Sequence, residues 1–169
     1  MIITGNIPVT WNSKDYESCE YKTHPNPYRG FDPVKEENNI STKLDIGLDV
    51  CYKIPETILL NLKHFNLLNM SLQLQKYSPG QYLPFHSDRY DTYKKFNKVA
   101  KDEDIIRIIL FLHDQEPGQQ LWVENKIYTG VAGDYIGWTN DTVHMAANLS
   151  NVNRYNLQIT GIQQTIENN

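Results

Sequence analysis

The feature that most limits what this chain can fold into is the run of short, alternating segments from residue 70 almost to the C-terminus. Successive side chains of an extended strand point to opposite faces. In MSLQLQKY that puts Met70, Leu72 and Leu74 on one face and Gln73, Gln75 and Tyr77 on the other. YSPGQY then supplies a turn. DIIRIILFLHD is almost continuously apolar, which suits a strand covered on both faces. QQLWV and KIYTGV predict a hairpin around Glu124 and Asn125, and DYIGW, TVHMAA and NRYNLQITGI complete the series. About seven or eight short strands at close spacing predict a mainly β protein, a double-sheet jelly roll with buttressing helices.

Upstream, KLDIGLDV alternates Leu44, Ile46, Leu48 and Val50 and reads as one half-buried strand. PETILLNLKHFNLLN predicts a helix, with Pro55 at its first position and Ile58, Leu59, Leu62 and Phe65 on one face. Residues 20–40 read as a long surface loop, and DTYKKFNKVAKDED as a short helix or mobile loop. The 169 residues suggest one domain, with 1–69 as a helix, loop and strand support and 70–162 as the jelly-roll core.

Charged residues at 21% and hydrophobic ones at 40% fit a globular chain. A net charge of −4 weighs against a protein that grips nucleic acid through broad phosphate contacts. The two cysteines, Cys19 and Cys51, are too few for a disulfide framework and form no CxxC. The start, MIITGNIPVT, lacks the pattern of a secretory signal, and no stretch approaches a membrane span. The expectation is a soluble cytoplasmic protein with no membrane partner.

Chemistry concentrates in three places. LPFHSDRY sets His86 and Asp88 two apart, so an extended chain would aim both at one spot, and His144 lies in TVHMAA. Two histidines and a carboxylate can form a facial triad that holds Fe(II) and leaves other coordination positions open. A structural zinc would want four protein ligands. His24, His64 and His113 read as surface or strand-end residues. In RYNLQIT, Arg154, Asn156, Gln158 and Thr160 share one strand face. An inward arginine needs an anion, because an unpaired buried guanidinium is costly. A dicarboxylate would suit its planar fork, with Gln75 and Tyr77 as further hydrogen-bonding groups. Singly, each signal has a commonplace reading in a solvated sheet face. Their order along the chain is what points to a site. Trp122 and Trp138 either line its mouth or belong to the core.

Residues 70–162 resemble the Fe(II)/2-oxoglutarate-dependent oxygenases. KYSPGQYLPFHSD is similar to the Tyr-x-x-Gly…His-x-Asp segment of prolyl hydroxylases and alkylated-nucleic-acid demethylases. HMAANLSNVNRYNLQIT resembles the distal histidine followed by the co-substrate arginine, and RYNL is similar to the matching demethylase strand. The resemblance implies a double-stranded β-helix, with His86, Asp88 and His144 as iron ligands and Arg154 holding the distal carboxylate of 2-oxoglutarate. It implies co-substrate contacts from Tyr77, Gln75 and Asn156. Thr160 stands where the demethylases carry a second arginine, Leu110 where prolyl hydroxylases often have a tyrosine, and PGQQLWV only loosely represents the latter's Gly-Gly turn.

The implied activity is a dioxygenase using Fe(II), 2-oxoglutarate and O2, with ascorbate as a possible accessory. Its implied substrate is a peptide or protein side chain such as proline. The alternatives are a free amino acid or other small metabolite, or alkylated nucleic acid met by Lys94, Lys95, Lys98 and Lys101. A non-catalytic jelly roll that binds a ligand is the reading from a different class.

Overall fold

The computed structural model describes residues 1–24, 45–98, 105–139 and 141–163. Two antiparallel sheets face one another, and the only parallel pairing among the described strands is a short one at the edge of the smaller sheet. The strands are β1 (Ile2–Asn6), β2 (Lys22–Thr23), β3 (Asp45–Ile46), β4 (Asp49–Cys51), β5 (Leu67–Tyr77) and β6 (Gln81–His86). They continue with β7 (Ile105–Phe111), β8 (Gln119–Val123), β9 (Lys126–Tyr128), β10 (Asp134–Thr139), β11 (His144–Asn148) and β12 (Arg154–Gln163). The larger sheet has the order β1-β10-β7-β12-β5-β4-β2 and the smaller β3-β6-β11-β8-β9. The expected hairpin is β8–β9, turning at Glu124 and Asn125.

β7 shows how the sequence builds both layers. Ile106, Ile108 and Leu110 pack on the outer side of the larger sheet with Ile58, Leu74 and Leu157. Ile109 and Phe111, one residue out of phase, pack between the sheets with Leu121, Val123, Ile136 and Trp138. β7 lies inside the larger sheet between β10 and β12, and these two clusters cover its apolar run on both faces. Each fully buried Ile or Leu contributes about 1.5–3 kcal/mol.

The N-terminal part is less helical and more extended than the sequence suggests. PETILLNLKHFNLLN makes one helical turn, α2 (Glu56–Leu59), and a 3-10 turn at Leu62–Phe65, after α1 (Ser13–Glu17) earlier in the chain. Asn66 takes a left-handed conformation, φ 44°, and the chain turns there into β5 three residues earlier than expected. Ile58, Leu62 and Phe65 still point into the core, but Leu59 is exposed. β1, unforeseen, pairs with β10 along the sheet edge. The Trp11 indole donates to the Leu112 carbonyl at 2.8 Å and ties this arm to the end of β7.

KLDIGLDV is not one strand. Gly47, at φ 153°, breaks it, and few residues other than glycine tolerate that conformation. Ile46 pairs with β6 in the smaller sheet, whereas Val50 pairs with β5 in the larger. Ile46, Leu48 and Val50 remain buried as the alternation predicts. Most of the expected loop at 20–40, and Leu44, lie outside the described residues. Of the short helix or mobile loop expected over DTYKKFNKVAKDED, α3 (Asp91–Asn97) is the helix, and residues 99–104 lie outside the described residues.

Candidate metal centre

His86 closes β6 and His144 opens β11, and the two are direct partners in the β6–β11 ladder. That pairing depends on an irregularity. Ala146 pairs with Leu83 and His144 with His86, so β6 spends three residues where β11 spends two. Such a bulge re-aims the residues that follow it. Leu83 and His86, which strict alternation would put on opposite faces, therefore both line the inner cavity. Pro84 sits within the bulge, where a missing N–H costs little.

Asp88 follows the strand end, and single ligand atoms of His86, Asp88 and His144 all lie within 4.8 Å of one another. The ring centroids of the two histidines are 4.3 Å apart. His86 Nδ1 is 2.7 Å from the Pro84 carbonyl and His144 Nδ1 is 3.0 Å from the Thr142 carbonyl. A carbonyl only accepts, so each Nδ1 carries a proton, which leaves Nε2 as the nitrogen available to hold a metal. Histidines that hold metals are oriented in this way. Burial pushes the His144 pKa down to about 4, against the opposing pull of the Asp88 carboxylate, so the ring is neutral at pH 7. The Trp138 ring packs against His144 with centroids 4.6 Å apart and is 2% exposed, which makes it a core residue that also lines the cavity. Trp122 is half-buried elsewhere, edge-on to the exposed Phe85.

The Asp88 carboxylate is shared. One oxygen, Oδ1, lies 3.3 Å from Arg107 Nη2, and the other, Oδ2, is buried with no hydrogen-bond partner and 3.7 Å from His144 Nε2. Arg107 was not foreseen. It is the lone charge in IIRIILF and shares the inward face of β7 with Ile109 and Phe111. A charge at one inward position of an apolar run was the available signal. Arg107 pairs with Thr160 across the β7–β12 ladder, so a guanidinium arrives from the neighbouring strand at Thr160's level.

Across the cavity, Arg154 is 0% exposed, and its Nε, Nη1 and Nη2 all lack hydrogen-bond partners. Its cross-strand partner is Tyr77, whose ring centroid is 5.2 Å from the guanidinium carbon. Burial lowers the Arg154 pKa to about 10, and the same burial raises that of Tyr77 to about 12, so Arg154 stays charged and Tyr77 neutral. Asn156 pairs with Gln75 in the same ladder, and the Asn156 Oδ1 is buried and unpartnered. Gln75 is already engaged, donating to Gln158 at 2.9 Å and to Gln73 at 3.2 Å. Asn148, also unforeseen, donates to the Tyr77 carbonyl at 2.7 Å and joins the two sheets at the arginine's level.

The seven residues expected at the site therefore line one inner cavity, about 40 Å³ in volume. A second cavity of about 320 Å³ adjoins it, sharing Gln75, Leu83, His86, Asp88 and Gln158 and adding Gln73, Arg107 and His24. His24 thus lies closer to the site than the sequence suggested. His113 is a strand-end residue as expected. Its Nε2 accepts the Tyr155 backbone N–H at 3.0 Å and its Nδ1 donates to the Asp114 carbonyl. Among the lysines considered for phosphate contact, Lys94 lies 3.8 Å from Asp91, and Lys101 is outside the described residues.

Solved structures share this architecture. An oxidoreductase of the 2OG-Fe(II) oxygenase family from Burkholderia pseudomallei superposes with TM-score 0.58 at 8% identity, covering 97% of this chain and 88% of that one. The fold is a double-stranded β-helix. A non-haem α-ketoglutarate-dependent carbocyclase from nogalamycin biosynthesis gives TM-score 0.55 at 14% identity, covering 89% of this chain and 82% of the other. A Pseudomonas putida prolyl-4-hydroxylase gives 0.45 at 18%, covering 60% of this chain, which spans only 57% of that protein. No family model matches the sequence, and no curated protein matches it. At these identities the likeness is one of fold, and chemistry must be read from the side chains. No helix among the described residues is long and apolar enough to cross a membrane.

Proposed function

We propose that this β-helix protein is an Fe(II)- and 2-oxoglutarate-dependent dioxygenase that hydroxylates a C–H bond, its substrate a peptide or protein side chain such as proline. One observation carries the reading. A buried guanidinium with every N–H unpaired shares a cavity with two imidazoles and a carboxylate oxygen that also lacks a partner. An uncompensated buried charge costs on the order of several kcal/mol. A cation at the triad and an anion at Arg154 would offset these costs together.

The donor set fits iron. Two nitrogens and one oxygen leave coordination positions open, unlike a closed structural site. His86, Asp88 and His144 would hold the ion. Arg154 would take the distal carboxylate of 2-oxoglutarate bidentately, and Tyr77 and Asn156 offer it further polar atoms. When bound, the pair would supply the oxidising chemistry, in which 2-oxoglutarate and O2 give succinate and CO2 and one oxygen atom reaches the substrate.

The remaining work falls to the chain. Arg107 fixes one Asp88 oxygen and leaves the other directed at the triad. Trp138, Leu121 and Ile109 keep water from the inner cavity. The outer cavity, beside His86 and Asp88, is lined by the linked glutamines Gln73, Gln75 and Gln158, a polar wall suited to a peptide-like substrate.

Calorimetric titration with Mn(II) and then N-oxalylglycine, an inert mimic of the co-substrate, tests the site. Binding of the mimic is expected only after the metal, and His86→Ala is expected to abolish both. Succinate release is then compared across proline-containing peptides, free amino acids and methylated oligonucleotides. Metal binding that survives His86→Ala, or no succinate with any substrate, would defeat the proposal.

A further inference from the structure

The two cysteines have no part in the metal centre, and the fold brings them together. Cys19 lies just beyond α1 and Cys51 ends β4, yet both pack into the same buried apolar cluster. Both line a cleft of about 900 Å³ between α1 and the β4–α2 connection. Cys19 also donates to the Asp15 carbonyl at 3.2 Å, and Cys51 to the Lys53 carbonyl at 3.5 Å. Cys19 is half-exposed and Cys51 buried, so a reagent in the cleft meets Cys19 first.

We propose that Cys19 and Cys51 are a dithiol site that low-molecular-weight disulfides, such as glutathione disulfide, convert reversibly to an intramolecular disulfide. In the first step the Cys19 thiolate attacks one sulfur of glutathione disulfide. The S–S bond breaks, one glutathione leaves as a thiolate that takes up a proton, and Cys19 carries the other. The Cys51 thiolate then attacks the Cys19 sulfur and expels the second glutathione. Two protein thiols are oxidised by two electrons, and one glutathione disulfide is reduced to two glutathiones. The bridge would join the end of α1 to β4 and close residues 19 to 51 into a ring, which restricts the unfolded chain. Burial and the neighbouring Cys51 raise the Cys19 pKa, which makes the exchange slow at neutral pH and faster as pH rises.

The whole protein is incubated with glutathione disulfide, quenched in acid, alkylated and weighed by mass spectrometry. The expected product has lost two hydrogens, takes up no alkyl group and yields a peptide linking Cys19 to Cys51. Its Tm should exceed that of the reduced protein by about 5–10 °C. Cys51→Ser is expected to trap one glutathione on Cys19. Cys19→Ser is expected to react far more slowly. A wild-type protein that stops as a stable glutathione adduct, cross-links to a second copy, or keeps both thiols alkylatable would overturn the proposal. The wild-type product decides the matter even where a variant fails to fold.

Discussion

The two faces of β12 differ in one respect that organises the molecule. Tyr155, Leu157 and Ile159 face the outer core, packed among apolar partners. Arg154, Asn156 and Gln158 face the inner cavity, where Arg154 and Asn156 keep polar atoms with no partner. The strand and its flanking strands, β5 and β7, are the same for both faces. One face is complete as it stands, whereas the other is complete only with something else bound. Buried polar groups in folded proteins are ordinarily paired, so a cluster of exceptions on one face marks a place prepared for a ligand.

The largest expected effect breaks the inner face alone. Arg154→Met should weaken N-oxalylglycine binding by roughly 100-fold while leaving the metal-free protein as stable as the wild type or more so, since a costly buried charge is removed. Calorimetry and urea unfolding measure the two quantities. A large loss of stability with unchanged affinity would mean the guanidinium is structural.

Leu157→Ala, one strand face away, should do the reverse. Leu157 is 0% exposed, and its truncation is expected to cost about 2–5 kcal/mol in urea unfolding, with little change in ligand affinity if the protein remains folded. Next comes Arg107→Met, which frees Asp88 Oδ1. It should weaken Mn(II) binding by about 10- to 100-fold, the effect of losing a group that orients a ligand.

The smallest effect concerns His113, which supports the outer face by accepting the Tyr155 N–H. Burial lowers its pKa from the ordinary value, so the folded protein prefers the neutral ring. The unfolded chain therefore binds the proton more readily. Stability from this group is present above about pH 6.5 and is lost as pH falls below it. Between pH 7 and 5 the wild type should lose stability more steeply than His113→Gln, by less than about 1 kcal/mol. Parallel slopes would show that His113 bears no such load.

The strands with strong alternation were legible because period two is a local property. Gln75 and Tyr77 against Leu74, or Arg154 and Asn156 against Leu157, sort to their faces whatever the rest of the chain does. The helix expected from Pro55 was less legible. Its apolar spacing fits a helix, but the segment must end in time for Leu67 to join β12, and the left-handed Asn66 ends it. β1 carried no clear pattern because an edge strand with a single partner needs little alternation.

By itself the sequence determined the jelly-roll class, the inward residues of the strong strands, and the order His86, Asp88, His144, Arg154 that invites a metal and a diacid. Tertiary structure alone decided that the bulge at Pro84 and Phe85 turns His86 inward, that Arg107 reaches Asp88, and that Cys19 and Cys51 line one cleft. The reason is range. A strand's faces follow from neighbouring residues, whereas strand register and the meeting of distant side chains follow from pairing across the whole sheet.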